Sequence, residues 1–451
     1  MNGVRWAWVT DNMTFVSPLG LGVTLLMGLL LILLPRKYAF IPLLALTCFM
    51  TMGQRVLIVG LNFTMIRILI LLGWLRLILR REFRPIEFNG LDRVILIWSV
   101  VGVVAYSLLW LTSEAMIYRL GQAYNAVGTY FLFRYMIQDM DDIKRLLRTL
   151  AVFVIPLAAL MIVEKSTGRN VFASLKGVPE MSEVRLGVIR CQGPFAHSIL
   201  AGTFGASLLP LLLAMPRQGM SSRFLSWLAL IAAVVIVVMG GSSGPIMACM
   251  FGLIGFCFWP LRDYMRAVRW AIVCLLVALQ LAMKAPIWFL IARVSVFDGS
   301  TGYHRSFLIQ QAVTNFDEWW LFGVQSTAHW GYEMVDITNQ YIRQGIEGGV
   351  LTMGLYVAIL VLAFRMVGRG MRSHQDRPTQ FLIWSMGCAL VVHMFSFISV
   401  SYFDQNFVNW YLLLAMIASV LEVREPALDP VPDGESQPDE QDPYISQALV
   451  Y

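Results

Sequence analysis

The sequence predicts an all-α membrane protein with about twelve or thirteen transmembrane helices. Of its 451 residues, 58% are hydrophobic and only 14% are charged, whereas soluble proteins are about 25% charged on average. A bilayer core needs roughly 20 apolar residues per helical span, and many stretches of the chain meet that requirement. These stretches do not alternate between apolar and polar residues, so a transmembrane β-barrel is not expected.

The apolar stretches define thirteen candidate spans. They cover residues 17–35, 38–53, 56–77, 92–111, 119–137, 144–163, 195–215, 224–240, 245–261, 268–284, 347–367, 381–399 and 404–423. The second is short enough to be re-entrant, which leaves the count at twelve or thirteen. The first follows Arg5 without a small-residue cleavage pattern, so it is expected to be a retained anchor.

Basic residues concentrate in short connectors between these spans, which marks the connectors as cytoplasmic. The same rule accounts for the net charge of +6, so no nucleic-acid partner is expected. Two long segments, 164–194 and 285–346, then lie on the outer, periplasmic face. The second is rich in aromatic residues, so we expect it to fold as short helices.

The chain divides into a membrane domain and a tail. Residues 1–423 form the polytopic membrane domain. Residues 424–451 are rich in proline and acidic residues with little apolar surface to bury, which predicts a disordered cytoplasmic tail. Two arginines interrupt apolar runs of the membrane domain: Arg134 is close enough to a cytoplasmic end to snorkel, whereas Arg67 lies deeper, where charge is costly.

Each long outer segment carries an arginine next to a polar motif. The stretch EVRLGVIRCQGPFAHS delivers Arg190 to the start of a span and places His197 on its first turn. A guanidinium presents a planar fork of donors that matches phosphate; the alternative is an interfacial arginine that snorkels to headgroups. In GYHRSFLIQQAVTNFDEWWLFGVQ, Arg305 opens an amphipathic helix, where a positive charge opposes the helix dipole.

The stretch VDITNQYIRQGIEGGV brings Asp336, Asn339, Arg343 and Glu347 directly into an apolar run. Two interpretations stay open for these groups. They either line the outer mouth of a cavity, or Asn339 and Glu347 cap the helix that begins near residue 340.

Two further patterns bear on catalysis and metal binding. The turn GGSSG at 240–244 fits Gly-x-Ser-x-Gly but joins two spans, so Ser243 is expected to offer a hydroxyl to a ligand or simply to complete a tight hairpin. His329 forms no metal-ligand spacing with another His, Cys or carboxylate. No metal and no cofactor are expected.

Taken together, these motifs resemble the O-antigen ligase and polysaccharide polymerase family of multispan membrane glycosyltransferases. The resemblance covers about residues 185–365 and, more loosely, the whole topology. It rests on RCQGPFAHS, the hairpin GSSGP, YHRSFLIQQAV, LFGVQ and TNQYIRQGIEGG. The family usually has a His before the Asn of the last motif, where this chain has Thr338, and ligases commonly carry an arginine in the hairpin, where it has Ser243.

The resemblance implies glycosyl transfer from a polyprenyl-diphosphate-linked oligosaccharide at the outer face of the bacterial inner membrane. Arg190, Arg305 and Arg343 would bind the diphosphate. Asp336 or His329 would act as the base, with Asn339 also in the catalytic site. Further pocket candidates are His197, Ser243, Thr338, Tyr341 and Glu347.

Because Thr338 replaces the usual His, polymerisation of polysaccharide repeat units is the leading expectation, with O-antigen-type ligation second. A transporter of lipid-linked oligosaccharides and a non-catalytic carrier-binding protein are the alternatives of another class. The expected partners are the lipid-linked donor, membrane lipid and other polysaccharide-assembly proteins.

Overall fold

The computed structural model describes residues 14–58, 61–219, 222–293 and 301–421. Most of them are helical, which confirms the predicted predominance of helix. The helices are α1 Pro18–Leu33, α2 Ile41–Phe49, α3 Met65–Leu79, α4 Gly90–Trp110, α5 Ser113–Ala123, α6 Thr129–Met136, α7 Met140–Thr167, α8 Ser198–Ala214, α9 Arg223–Met239, α10 Ser243–Cys257, α11 Met265–Ala282, α12 Leu290–Arg293, α13 Thr301–Thr314, α14 Phe316–Trp319, α15 Gln340–Ser373, α16 Arg377–Ser399 and α17 Asn406–Ser419. The expectations for Arg5 and for the tail 424–451 lie outside the described residues.

Six helical stretches among the described residues are long and apolar enough to cross a membrane. They are Gly90–Trp110, Met140–Thr167, Ser198–Gln218, Trp259–Ala282, Gln340–Ser373 and Arg377–Ser399. Four shorter apolar helices, α1, α9, α10 and α17, have between 10 and 17 residues. The predicted short span at 38–53 contains only the nine-residue α2, which at 1.5 Å per residue is about 14 Å long. Twelve or thirteen full spans thus stays a prediction.

The prediction of an all-α fold was wrong at two places, where the chain forms antiparallel β-hairpins. Strand β1 (Arg55–Ile58) pairs with β2 (Leu61–Thr64), and β3 (Glu183–Arg185) pairs with β4 (Val188–Arg190). The β1–β2 pair occupies the first half of the predicted span 56–77, so α3 begins only at Met65. In the second hairpin, Leu186 and Gly187 both have left-handed backbone, with φ of 50° and 76°, as a two-residue hairpin turn requires.

The core lies around α8 and α17, whose residues are almost all buried. A helix that is apolar on every side is stable when other helices surround it. Around these two, α4 packs on α15, α10 on α16, and α7 on α9. Arg134 does not snorkel as predicted: it is fully buried, with Nε 3.2 Å from Asp92 Oδ1 and Nη1 3.0 Å from Ser419 Oγ.

The loops that connect the helices lie at the two ends of the bundle. At one, which we call the basic end, Arg36 donates to Asp142 Oδ2 at 2.8 Å and Arg84 donates to Ile137 O at 2.6 Å. At the other, the loop end, Thr51 Oγ1 donates to Lys176 O and Ser401 Oγ donates to Ile337 O. The loop end comprises residues 164–197, 240–244, 301–340 and 399–405.

Candidate functional site

A buried carboxylate holds the first loop of the loop end in place. Glu164, 1% exposed in the last turn of α7, accepts the backbone N–H groups of Gln192 at 3.0 Å and Gly193 at 2.9 Å. It also accepts the Ser182 hydroxyl at 2.9 Å. Three hydrogen bonds offset the cost of burying this charge, so Glu164 fixes the chain that carries Arg190 and His197.

Arg190 ends β4 and is 6% exposed. Its Nη1 donates to Glu183 Oε2 at 2.9 Å across the hairpin, while its buried Nε has no partner among the described residues. The next residue, Cys191, donates its N–H to Met239 O at 2.9 Å at the end of α9. Burial lowers the pKa of Arg190, as does Arg185 nearby, and Glu183 opposes that change.

Arg305 reaches the same place from α13. Within the described part of the chain it has neither an ion pair nor a hydrogen bond. Burial, together with the charges of Arg185 and Arg190, lowers the pKa of Arg305 to about 10. We call Arg185, Arg190 and Arg305 the arginine centre. Among the described residues, only Arg190 of these three has an ion pair, with Glu183, so the centre carries excess positive charge that an anion would neutralise.

The N-terminus of α10 lies between the two long arms of this centre. A Cβ at Gly241, where φ is +55°, would lie 3.1 Å from Arg190 Cγ, and one at Gly244 would lie 3.5 Å from Arg305 Nη2. The N-cap residue Ser242 makes no side-chain capping bond, and Ser243 is the first residue of the helix. The free N–H groups and positive dipole end of a helix favour anions, so this turn adds to the attraction of the arginines.

His197 caps α8 beside the arginine centre. Its Nδ1 accepts the backbone N–H of Ile199 at 3.2 Å, and its Nε2 lies 3.8 Å from Glu183 Oε2. Burial lowers the pKa of His197, as does Arg190, against the opposing charges of Glu183 and Asp336. The ring is therefore neutral at pH 7, and since Nδ1 accepts, the proton lies on Nε2. His197 offers a hydrogen-bond donor to the site, not a base.

The two sequence-predicted bases lie in different surroundings. Asp336 is exposed, and its charge acts on His197; it has no ion pair with any described residue. His329 Nε2 lies 2.8 Å from Glu318 Oε2, which also accepts the Trp330 indole N–H at 2.9 Å. These hydrogen bonds, the Trp330 bond foremost, lower the pKa of Glu318. Asp336 is thus an exposed carboxylate near enough to His197 for its charge to act on that ring, while His329 pairs with Glu318.

The remaining predicted residues divide between a structural role and a second location. Asn339 caps α15, since its Oδ1 accepts the N–H groups of Tyr341 at 3.0 Å and Ile342 at 3.1 Å. Tyr341 donates its hydroxyl to Met394 O at 3.0 Å. Thr338 Oγ1 is buried without a partner among the described residues. Arg343 does not join Arg190 and Arg305.

Instead, Arg343 belongs to a second cluster with Glu347. Arg343 Nε lies 2.7 Å from Glu347 Oε1, and Arg119 Nη1 lies 2.6 Å from Glu347 Oε2. Glu347 therefore links α15 to α5 and does not cap the start of α15, which begins seven residues earlier, at Gln340.

Asp404 supports the site from beneath and was not singled out by its sequence pattern. Its Oδ2 accepts the N–H of Ala196 at 2.6 Å, and its own backbone is left-handed, with φ of 78°. The neighbouring Gln405 donates to Met50 O at 2.8 Å and Pro194 O at 3.1 Å. Burial raises the pKa of Asp404 to about 8, although N–H groups of Ala196 and Gln405 favour the ionised form.

Replacing Asp404 with Asn is expected to raise the melting temperature at pH 8 to 9. A carboxyl whose folded pKa is raised is most favourable to folding below its unfolded pKa near 4, and it loses stability as pH rises towards about 8. Asn keeps the acceptor for Ala196 and tolerates left-handed backbone, but it does not titrate. Thermal unfolding of both proteins from pH 5 to 9 checks this: parallel curves would contradict it.

Comparisons with known protein families, with curated proteins and with solved structures found no match to this chain. The described residues contain no group of three or more His, Cys, Asp or Glu side chains that could hold a metal ion.

Proposed function

We propose that the loop end catalyses polymerisation of polysaccharide repeat units by glycosyl transfer from a polyprenyl-diphosphate-linked oligosaccharide. The observation that carries this proposal is Arg305, a partly buried guanidinium with neither an ion pair nor a hydrogen bond in the described chain, next to the N-terminus of α10. A cation that is partly removed from water without a charge partner destabilises the folded protein. A diphosphate would relieve that cost, because it brings the negative charge that Glu183 alone does not supply.

The reaction assigned to this site breaks the bond between the anomeric carbon and the diphosphate oxygen. The acceptor hydroxyl attacks that carbon, a new glycosidic bond forms, and polyprenyl diphosphate leaves with the electron pair. Its growing charge would be stabilised by Arg190, Arg305 and the amides at the start of α10, as preorganised donors do in other sites. His197 Nε2–H would donate a further hydrogen bond.

Asp336 is the proposed acceptor of the proton that the attacking hydroxyl releases. It is exposed and has no ion pair with a described residue, so a substrate hydroxyl can reach it. A good leaving group needs only moderate help from a base, and general-base catalysis typically contributes about 10²–10⁴-fold. His329 is the weaker candidate since Glu318 already binds it.

The proposal places the loop end on the outer face of a bacterial inner membrane. The basic residues at the opposite end of the bundle support that orientation through the positive-inside rule. The substrate suits the setting, because a lipid-linked sugar enters from the bilayer while its saccharide stays in water. No cofactor is required by this chemistry.

The test supplies the purified protein in detergent with polyprenyl-diphosphate-linked repeat units and a metal chelator, and follows products by gel electrophoresis and mass spectrometry. A ladder of lengthened glycans, with one polyprenyl diphosphate released per bond, is the expected result. Donor binding without a ladder, restored to transfer by a lipid or protein acceptor, would replace polymerisation with ligation. The absence of both donor binding and turnover would overturn the proposal.

A further inference from the structure

A second cationic cluster lies among α3, α5 and α15. It contains Arg67, Arg119 and Arg343, with Glu347 as the carboxylate that pairs with the last two at 2.6 and 2.7 Å. Tyr118 lies between Arg67 and Arg343, close enough for its hydroxyl to interact with both charges. Three cations against one carboxylate leave an excess of positive charge in a largely apolar region.

Arg67 accounts for much of that excess. Its Nε donates to Asn125 Oδ1 at 2.8 Å and its Nη1 donates to Asn62 O at 2.6 Å, both uncharged acceptors. Its Nη2 packs against α5, where a Cβ at Gly121 would lie only 2.9 Å away. Similarly, a Cβ at Gly102 would lie 3.0 Å from Arg119 Nη2. Glycine at these two positions makes room for the guanidinium groups.

An apolar groove begins beside this cluster on the outer surface of the bundle. It has a volume of about 480 Å³, and its lining includes Trp74, Leu96, Val100, Leu120, Tyr124 and Val127. Leu120 follows Arg119 in the chain, and the Tyr124 hydroxyl donates to Arg67 O at 3.2 Å. Val100 is 62% exposed and Leu120 is 48% exposed. The groove thus joins an open apolar surface to a cationic head.

The backbone of the groove wall is also unusual. Residues Tyr124–Gly128 form a π-helical turn between α5 and α6. Such turns are rare and occur often at functional sites. Here the turn presents Tyr124 and Val127 to the groove, which gives the wall a shape that a regular helix would not have.

We propose that this groove and cluster bind the phosphate end and the first prenyl units of a second lipid carrier, the one that bears the acceptor glycan. The inference rests on the proposed function, because a polymerase whose acceptor is itself lipid-linked must hold two carriers at once. The charge of Arg67, Arg119 and Arg343 complements a diphosphate, and the apolar groove complements a prenyl chain.

The first turn of α15 and the residues before it lie between the two cationic sites. Asn339 Nδ2 donates to Ile398 O at 3.4 Å, and a Cβ at Gly244, beside Arg305, would lie 2.7 Å from Ser399 Oγ. Arg343 follows Asn339 by one helical turn. The two carriers would therefore both bind near the α15 N-terminus, which Asp336 precedes.

The test counts bound radiolabelled farnesyl diphosphate per chain in detergent. We expect two molecules on the wild-type protein and one on each of Arg67→Gln and Val100→Trp, where the new indole fills the groove. Val104→Trp is the matched control: Val104 is 51% exposed on the same helix but is not part of the groove lining, so it should still bind two. In the polymerisation assay, Arg67→Gln and Val100→Trp should raise KM for the lipid-linked acceptor at least tenfold and leave KM for the donor unchanged.

The outcomes separate this inference from the proposed function. One molecule on the wild-type protein, lost in Arg305→Gln, would overturn the second site and leave the first intact. Binding that Arg305→Gln does not reduce would overturn the proposed function instead. Displacement of the second molecule by phosphatidylglycerol at equal concentration would identify a bulk-lipid site and overturn the inference.

Discussion

Replacing Arg305 with Gln is expected to reduce turnover on the order of 10²–10³-fold, the usual cost of removing one preorganised charge-stabilising donor. The same change should raise the melting temperature of the ligand-free protein. Burial and the neighbouring arginines lower the pKa of Arg305 to about 10. The side chain is still charged at pH 7, but its charge is less favourable in the folded than in the unfolded protein, so replacing it with a neutral residue removes that cost. Turnover and thermal unfolding are measured on the same samples.

Two controls make the Arg305 result specific. Arg305→Lys keeps the charge without the planar fork of donors and should retain part of the activity. Arg369→Gln removes an exposed arginine from the C-terminal half of α15 and should change neither quantity. Unchanged turnover in Arg305→Gln would contradict the proposed role of Arg305. A lower melting temperature together with lost turnover would show that Arg305 is a structural residue.

Replacing Asp336 with Asn is expected to lower kcat by roughly 10²–10⁴-fold while diphosphate binding stays within about twofold, since the proposed role is proton transfer in the transition state. The carboxylate is exposed, so folding should be little affected. The measurements are kcat, obtained from the glycan ladder, and the equilibrium binding of farnesyl diphosphate in the presence of a metal chelator.

His329→Asn serves as the comparison for Asp336. His329 Nε2 lies 2.8 Å from Glu318 Oε2, and His329 is not part of the arginine centre. This variant should therefore keep turnover within about twofold of wild type, as expected of a side chain outside the site. A collapse of activity in His329→Asn together with normal activity in Asp336→Asn would exchange the two roles.

Composition and the length of apolar runs predicted the helical character of the chain, because backbone amides away from water require internal partners. They did not predict where helices end. The run at 56–77 looks continuous, yet its first half pairs as β1 and β2. Valine, isoleucine and phenylalanine in that stretch suit strands as well as apolar helices, so hydrophobicity alone cannot separate the two.

The arginine centre was predictable only as separate parts. Arg190 and Arg305 each followed from a charge at the edge of an apolar run, but the Gly241–Gly244 turn that lies between them is visible only in three dimensions. Glu164 and Asp404 act through backbone N–H groups of a distant loop, and a lone acid gives no spacing signal. Arg343 follows Asn339 by one helical turn, which predicts a shared site, whereas its charge partner Glu347 is shared with Arg119 on another helix.

The most direct test of the arginine centre is an electron cryomicroscopy structure of the protein with a non-hydrolysable polyprenyl diphosphate analogue. The account predicts both phosphates within hydrogen-bond distance of the Arg190 and Arg305 guanidinium groups, with one phosphate at the backbone N–H groups that begin α10. A bound analogue that leaves the space between Arg190, Arg305 and Ser243 unoccupied would contradict the account.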